Sequence, residues 1–246
     1  MNFDFDAQIT AALFDASGAV FALGDGSVRF EDRTRVQAHD GAVLCACVHP
    51  SGQGVVTGGD DGKVVWSRRD EGPVVLATAR NQWIDAIDAA SATGLIAFSW
   101  GRTLSVIDAA DVGFRRDFQH ERTVSGVAFD PKGRRIAAST YGGAALWYAR
   151  IEKQQPTRLA WAGSHTGVAF SPDGAFVVTT MQDNQLHGWR LKDAKNLRMG
   201  GYPSKVRSLA FLANGQILAT SGAQGAVLWP FVGSNGPMGR EATEIG

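Results

Sequence analysis

Three side chains that can bind a metal ion lie close together in the first quarter of the chain. Cys45, Cys47 and His49 occupy alternating positions of one predicted strand, so all three can point to the same side of a sheet. Thiolate and imidazole are ligands that zinc prefers. Cys45 and Cys47 align, however, with the small residues Gly126 and Ala128 of a related segment. This alignment favours small buried side chains, and we expect no bound metal and no cofactor.

Other groups of reactive side chains lack the spacing of known catalytic sites. The sequence contains no G-x-S-x-G motif, which is the nucleophile turn of many hydrolases. Gly24, Asp25 and Gly26 are followed by no helical pattern, which predicts a hairpin turn rather than a dinucleotide-binding loop. The carboxylates of Asp60 and Asp61 are adjacent in a predicted turn and define no acid and base pair. We therefore predict that the protein is not an enzyme.

Composition excludes several classes of partner. The chain has 246 residues with 24 Lys and Arg against 24 Asp and Glu, so it lacks the basic excess of a nucleic-acid or membrane-surface binder. No apolar run approaches the roughly 20 residues of a membrane-spanning helix, and the start MNFDFDAQIT does not resemble a signal peptide. Two cysteines form no disulfide framework. We expect a cytoplasmic protein that binds neither nucleic acid nor membranes.

Tryptophan recurs along the chain at about forty residues or twice that interval. A regular period in this range indicates a repeat architecture. Ile107 stands at the position where one tryptophan is missing. The phrases that end in tryptophan are VVTGGDDGKVVW (55–66), IAASTYGGAALW (136–147), VVTTMQDNQLHGW (177–189) and ILATSGAQGAVLW (217–229).

Each repeat is predicted to form four short strands. A first apolar strand is followed by a turn such as SPDG or DPKG, in which Pro presets φ and Gly tolerates positive φ. A second strand, a Gly-rich turn and a third strand follow, and frequent β-branched residues with turns every 8–12 residues favour an all-β fold. Six units can be recognised, at about 9–32, 43–67, 84–108, 124–148, 165–190 and 206–230.

These units resemble the WD40 repeat over nearly all of residues 9–230. The resemblance implies a β-propeller of four-stranded antiparallel blades. In that family a His, a Ser or Thr, an Asp and a Trp form a buried hydrogen-bonded tetrad in each blade. The resemblance implies such a tetrad at His39, Thr57, Asp61 and Trp66.

The other units depart from the family pattern. The unit at 165–190 keeps Thr179, Asp183 and Trp189, but Trp161 stands about where the histidine belongs. Trp-Asp endings are absent, and Ala138 and Ala219 replace hydroxyl residues in two further units. We therefore expect most blades to depend on apolar packing.

The end of the repeat pattern leaves the closure of the ring open. Residues 231–246 break the pattern and are predicted to be an irregular tail or the start of a further blade. An open ring would leave unpaired sheet edges. We favour an incomplete seven-bladed propeller in one domain that spans 1–230. The alternative is that MNFDFDAQ closes a ring of six.

Several aromatic and basic residues fall outside the repeat positions, in loops predicted to share one face of the propeller. Tryptophan, tyrosine and arginine are enriched at the centres of protein interfaces. We predict a scaffold that binds a protein or peptide through this face. The predicted binding residues are Trp83, Trp100, Arg122, Tyr141, Trp161, Tyr202 and Lys205.

Two alternatives remain at this stage. The chain could be a propeller enzyme or small-ligand binder that uses a central channel, because catalytic residues of such proteins scatter through loops. It could also be a structural segment of a larger multidomain protein, with its aromatic face covered by further blades.

Overall fold

A computed structural model describes residues 3–69 and 71–246. The chain divides into two compact units, Met1–Val124 and Ser125–Gly246. Apart from the short 3₁₀ turn Ala213–Gly215, every regular element of the described residues is a β-strand. No helix in this part of the chain is long and apolar enough to cross a membrane. The predicted closing segment MNFDFDAQ begins with two residues that lie outside the described ranges.

The first unit contains three four-stranded antiparallel sheets, in which consecutive strands are neighbours. Sheet one comprises β1 (Ile9–Asp15), β2 (Gly18–Leu23), β3 (Ser27–Phe30) and β4 (Arg35–Gln37). Sheet two comprises β5 (Val43–Val48), β6 (Val55–Gly59), β7 (Lys63–Ser67) and β8 (Val74–Thr78). Sheet three comprises β9 (Ala86–Ala90), β10 (Leu95–Trp100), β11 (Thr103–Asp108) and β12 (Arg115–Gln119).

The second unit contains one sheet of six strands and one of four. The six-stranded sheet comprises β13 (Gly126–Phe129), β14 (Arg135–Tyr148), β15 (Thr157–Phe170), β16 (Phe176–Met181), β17 (Leu186–Arg190) and β18 (Lys195–Met199). The last sheet comprises β19 (Leu209–Leu212), β20 (Ile217–Thr220), β21 (Ala226–Pro230) and β22 (Thr243–Ile245). The prediction of an all-β chain with antiparallel sheets is confirmed, and four of the five sheets in the described residues have the predicted four strands.

The six-stranded sheet holds two of the predicted repeat units. Its strands β14 and β15 each have 14 residues and change partner along their length. The first half of β14 pairs with β13, and the second half pairs with the first half of β15. The second half of β15 pairs with β16. The units at 124–148 and 165–190 are therefore continuous at this point.

The tail after residue 230 returns to the last sheet. Strand β22 pairs with β21 through Leu228 and Thr243 and through Ala226 and Ile245. Residues 231–246 thus supply the fourth strand of this sheet, which the repeat pattern did not reveal. That residues 1–230 form a single domain remains a prediction from the sequence.

Turn residues have the conformations that the sequence requires. Gly133 and Gly174 have φ of 64° and 69° in the DPKG and SPDG turns. Asn214 takes a similar φ of 56° in LANG, which lacks the proline. Asparagine tolerates this left-handed conformation better than most residues. The last sheet therefore turns through two residues of positive φ, Asn214 and Gly215, where the DPKG and SPDG turns use only the glycine.

Apolar side chains fill the space between neighbouring sheets within each unit. Val20, Phe30 and Val65 belong to one buried cluster, formed by sheets one and two. Val177 and Trp189 pack with Ala137 inside the six-stranded sheet. Because successive side chains of a strand alternate between faces, an inner sheet contributes to two such clusters.

An ion pair joins sheets one and two of the first unit. The carboxylate of Asp15 is almost fully buried and lies 3.1 Å from the guanidinium of Arg69. Asp15 also accepts backbone N–H groups from Ser17 at 2.8 Å and from Gly54 at 3.0 Å. Arg69 packs on the ring of Phe30, with 4.8 Å from the guanidinium carbon to the ring centre. The Arg69 side chain thus neutralises the buried carboxylate of Asp15 and covers the apolar core at Phe30.

We predict that Arg69→Ala lowers the free energy of unfolding by about 3 kcal/mol, because it leaves the Asp15 carboxylate buried without a countercharge. Arg29→Ala is the matched control. Arg29 lies 4.0 Å from the partly exposed Asp25, and such pairs contribute less than about 1 kcal/mol. Urea unfolding of the purified variants measures both values. Equal losses for the two variants would contradict the assigned role of Arg69.

Candidate functional site

A buried histidine fixes the loop that leads into sheet two. His39 is 2% exposed. Its Nδ1 lies 2.9 Å from Oδ1 of Asp61, and its Nε2 lies 2.8 Å from Oγ1 of Thr57. Burial raises the pKa of Asp61, but hydrogen bonds from His39 and the Lys63 backbone outweigh it and lower that pKa below its usual value. The network ties the loop before β5 to strand β6 and to the turn after it.

Trp66 lies outside this network, so the predicted tetrad needs correction to a triad. Thr57 pairs with Val65 and Val56 pairs with Trp66, which places Thr57 and Trp66 on opposite faces of the sheet. The indole N–H donates to the carbonyl oxygen of Gln53 at 2.8 Å. The ring stacks on His49, with ring centres 3.8 Å apart.

A one-residue difference in length explains the position of Trp66. The phrase that ends in Trp66 is one residue shorter than the phrase that ends in Trp189. Val55 consequently pairs with Ser67, whereas the corresponding Val177 pairs with Trp189. A shift of one residue moves a side chain to the other face of a sheet.

In the second unit, a histidine that the sequence comparison missed occupies the corresponding place. His165 is fully buried. Its Nδ1 lies 2.7 Å from Oγ1 of Thr179, and its Nε2 lies 3.1 Å from the carbonyl oxygen of Trp161. The prediction that Trp161 replaces the histidine is therefore wrong. His165 escaped notice because it falls four residues later, inside the continuous strand β15.

Stacked rings extend this histidine network towards the surface. The half-buried ring of Trp161 stacks on His187 at 4.0 Å, and the guanidinium carbon of Arg198 lies 5.4 Å from the centre of the same indole. Nε2 of His187 lies 2.9 Å from Oδ1 of Asn196. Trp189 is 1% exposed, and its indole N–H has no hydrogen-bond partner among the described residues.

In the last sheet, tyrosine takes the place of histidine. The Tyr202 hydroxyl lies 2.7 Å from Oγ1 of Thr220 and accepts the indole N–H of Trp229 at 2.5 Å. Tyr202 is 8% exposed. The register pairs Leu218 with Trp229, so the hydroxyl on the tryptophan face belongs to Thr220 and not to position 219. The prediction of Tyr202 as a partner-binding residue is corrected, because its hydroxyl is used inside the unit.

Trp83, Trp100 and Arg122 of the predicted binding face lie in the first unit. Trp83 is 64% exposed, in the loop between β8 and β9. Trp100 is half-buried at the end of β10, and its indole N–H donates to Oγ of Ser105 at 2.9 Å. Arg122 is exposed in the loop after β12. Trp83 is therefore the more accessible of the two tryptophans.

Tyr141, Trp161 and Lys205 lie in the second unit. Tyr141 is 64% exposed and pairs with Ser164 across two strands. Nζ of the half-buried Lys205 donates to Oε1 of Gln182 at 2.5 Å. The backbone N–H of Gln182 donates in turn to Ser164. Backbone hydrogen bonds and strand pairing therefore join the segments that carry Tyr141 and Gln182.

The cysteines and His49 have separate surroundings. Sγ of Cys45 lies 3.3 Å from the carbonyl oxygen of Ile84. Burial raises the pKa of the Cys45 thiol to about 12 and that of Cys47 well above its ordinary value. His49 accepts the Ser51 backbone N–H and stacks on Trp66. Among the described residues no cluster of His, Cys, Asp and Glu has the arrangement of a metal site.

We predict that Tyr202→Phe lowers the free energy of unfolding by about 1 to 3 kcal/mol, because the buried hydroxyl of Thr220 and the partly buried indole N–H of Trp229 lose a partner. Tyr141→Phe removes the same hydroxyl from a ring that is 64% exposed, and should change stability by less than about 0.5 kcal/mol. Thermal or urea unfolding compares the two. A neutral Tyr202→Phe variant would mean that the hydroxyl does not stabilise the last sheet.

We also predict a loss of stability in acid that depends on His187. Burial, together with His165 and Arg198, lowers the pKa of His187 from 6.5 to about 4, although Asn196 opposes this shift. In the unfolded chain the His187 imidazole takes up a proton at a higher pH than in the folded protein. The free energy of unfolding is therefore at its full value above about pH 6.5 and falls by about 3 kcal/mol towards pH 4. In His187→Gln this part of the pH dependence should disappear. Urea unfolding at pH 7 and pH 4 checks it, and identical acid losses in both proteins would refute it.

Comparison with known families supports the repeat assignment. Residues 31–66 and 162–190 match the family model described as WD domain, G-beta repeat. These two regions contain the hydrogen bonds of His39 with Thr57 and of His165 with Thr179. A comparison with curated proteins finds no match. The matched repeats and the antiparallel sheets support a WD40-repeat propeller family for this chain.

Proposed function

We propose that this protein is a non-enzymatic scaffold that binds a protein or peptide through loops of its first unit. WD40 propellers commonly serve as scaffolds for protein interactions. The observation that carries the proposal is the exposure of Trp83, whose large apolar ring is 64% accessible. Tryptophan is among the residues that contribute most to binding when a partner covers them.

The loop that carries Trp83 is held in place by the residues beside it. Ile84 is fully buried, and its backbone N–H donates to Gly59 at 3.1 Å. The N–H of Asp85 donates to Ser99 at 2.9 Å, and that of Ala79 donates to Gly62 at 2.8 Å. A loop fixed in this way loses little conformational freedom when a partner binds. These bonds support a preformed site around Trp83.

Arginines in the same set of loops indicate the chemistry of the partner. Arg80, Arg102 and Arg122 are exposed, and none of them has a carboxylate partner among the described residues. Of the nearby acids, Glu121 already has a partner, and burial raises the pKa of Asp85. We infer that the partner presents an apolar side chain to Trp83 and acidic groups to the arginines.

The number of blades is part of the same proposal. We propose six blades, with the six-stranded sheet counted as two that join where β14 and β15 change partner. The exposed Tyr141 supports a further contact surface on the second unit. Two free cysteines support a reducing compartment such as the cytoplasm.

We predict that Trp83→Ala weakens partner binding at least about tenfold and leaves stability within about 0.5 kcal/mol of the wild type. The physical reason is that the ring is exposed in the free protein and would be buried only in the complex. Immobilised wild-type protein and the variant are used to capture proteins from native cell extract, and quantitative mass spectrometry compares what each retains.

Tyr148→Ala is the matched control, because Tyr148 is an exposed aromatic residue of the second unit at 53% accessibility. Partners should be retained by the wild type and Tyr148→Ala but lost with Trp83→Ala. Retention of the same proteins by all three would exclude Trp83 as the anchor.

A further inference from the structure

The second unit contains an open cavity beside its last sheet. Its volume is about 500 Å³. The walls come from the loop after β18, from β21, and from β22 with the segment before it, all within the second unit. Cavities of roughly 300 to 1,000 Å³ are the usual size of small-ligand sites. This cavity therefore has room for an amino-acid side chain or a small organic molecule.

Two aromatic rings form much of the apolar wall. The partly buried Trp229 donates its indole N–H to the Tyr202 hydroxyl, which also contacts Oγ1 of Thr220. Because these polar atoms are already engaged inside the unit, the rings offer carbon surface to the cavity. The face of such a ring attracts a cation, and a flat guanidinium can stack on it.

Strand pairing places a carboxylate on the same side as the tryptophan. Glu244 pairs with Val227 across β22 and β21, and residues paired in this way share one face of the sheet. Val227 and Trp229 are two residues apart on β21, so they share that face as well. Oε1 of Glu244 accepts the backbone N–H of Gly225 at 2.9 Å. This bond holds the carboxylate in place and leaves Oε2 for a ligand.

The other charged residues of the wall leave the cavity with an excess of negative charge. Glu241 is exposed and has no cation partner among the described residues. Arg240 also lines the cavity, but its guanidinium donates to the carbonyl oxygen of Val232 at 3.2 Å. Two carboxylates thus stand against one guanidinium that is turned towards the backbone. A ligand with a positive charge complements this arrangement.

Two glycines leave the entrance without side chains. Gly200 and Gly201 directly follow β18 and line the cavity. Gly201 has a φ of 92°, which few other residues adopt. A Cβ at this position would meet no described residue within 4 Å apart from its chain neighbours. The cavity therefore opens to solvent here, and a ligand can enter along the glycines.

We propose that this cavity binds an organic cation, a guanidinium or ammonium group on a short apolar stem. The guanidinium of an arginine side chain fits best, because it is flat enough to lie on Trp229 and can donate two parallel hydrogen bonds to a carboxylate. Glu241 and Glu244 supply that carboxylate. The cation can belong to a peptide or to a free small molecule. The cavity does not involve Trp83.

Isothermal titration calorimetry with three probes tests this proposal. Butylguanidine carries the cation without a peptide backbone, and acetyl-arginine amide carries it on one. Acetyl-citrulline amide has nearly the same shape as acetyl-arginine amide but no charge. Ligands of this size bind a preformed site with a Kd on the order of 1 mM. Both guanidinium probes should bind in this range, and the citrulline probe at least about tenfold more weakly.

The two guanidinium probes also distinguish the sources of the cation. Tighter binding of acetyl-arginine amide identifies a peptide, because its backbone then adds contacts. Tighter binding of butylguanidine identifies a free small molecule. No binding of either probe up to about 10 mM would overturn the proposal, and so would equal binding of the citrulline probe.

Charge-removing variants locate the site. Glu244→Gln keeps an oxygen for the N–H of Gly225 and should weaken guanidinium binding at least about fivefold, and adding Glu241→Gln should abolish it. Glu71→Gln is the matched control, because it removes an equal charge from an exposed position of the first unit. Circular dichroism verifies folding, and the exposed Glu241→Gln alone replaces the double variant if that is unfolded. Unchanged affinity in the folded variants, or an equal loss with Glu71→Gln, contradicts the proposed site.

Discussion

A buried threonine hydroxyl on the second strand of a sheet must find a hydrogen-bond partner, and a ring from earlier in the chain supplies it. Thr57 meets His39 and Thr179 meets His165, at 2.8 and 2.7 Å. A buried polar group without a partner costs about 1 to 3 kcal/mol. His39 reaches Thr57 from the loop before β5, so this hydrogen bond also sets the path of that loop. His165 reaches Thr179 from within strand β15.

The same requirement is met with different chemistry in different sheets. An imidazole can donate from one nitrogen and accept at the other, so His39 joins Thr57 to a carboxylate. The phenol of Tyr202 both accepts from Trp229 and contacts Thr220. In the His165 network the hydroxyl of Thr179 is already engaged by His165 and the His187 carbonyl. The indole N–H of Trp189 therefore finds no hydrogen-bond partner in the part of the chain that the structure describes. The contact between a ring and the threonine hydroxyl is thus retained, although the ring is an imidazole in two sheets and a phenol in the last one.

The repeat period predicted antiparallel sheets of neighbouring strands, because strand order and turn residues follow from local sequence. It did not predict that two units share one six-stranded sheet or that residues 231–246 supply the last strand. Ile107 takes the predicted ladder position, since Ile96 pairs with Ile107 as Val177 pairs with Trp189. Side-chain direction could not be predicted in the same way. A strand reverses the face with every residue, so one residue less before Trp66 was enough to remove it from the network. The number of residues between the threonine and the tryptophan shows which face the tryptophan occupies. This number is one smaller in the phrase that ends at Trp66 than in the phrase that ends at Trp189.

Polarity on the second strand also decides which residue of the preceding loop turns inward. Phe98 pairs with Ser105 in sheet three, at the place where Thr179 pairs with His187 in the six-stranded sheet. An apolar ring at this place needs an apolar neighbour rather than a hydrogen bond, and the fully buried Ile84 joins its cluster. Trp83, one residue earlier, is consequently directed to solvent. Tyr202 precedes its first strand as Trp83 does, yet it turns inward because Thr220 needs its hydroxyl. Two aromatic residues in corresponding loops thus differ in role because of the residues they meet inside.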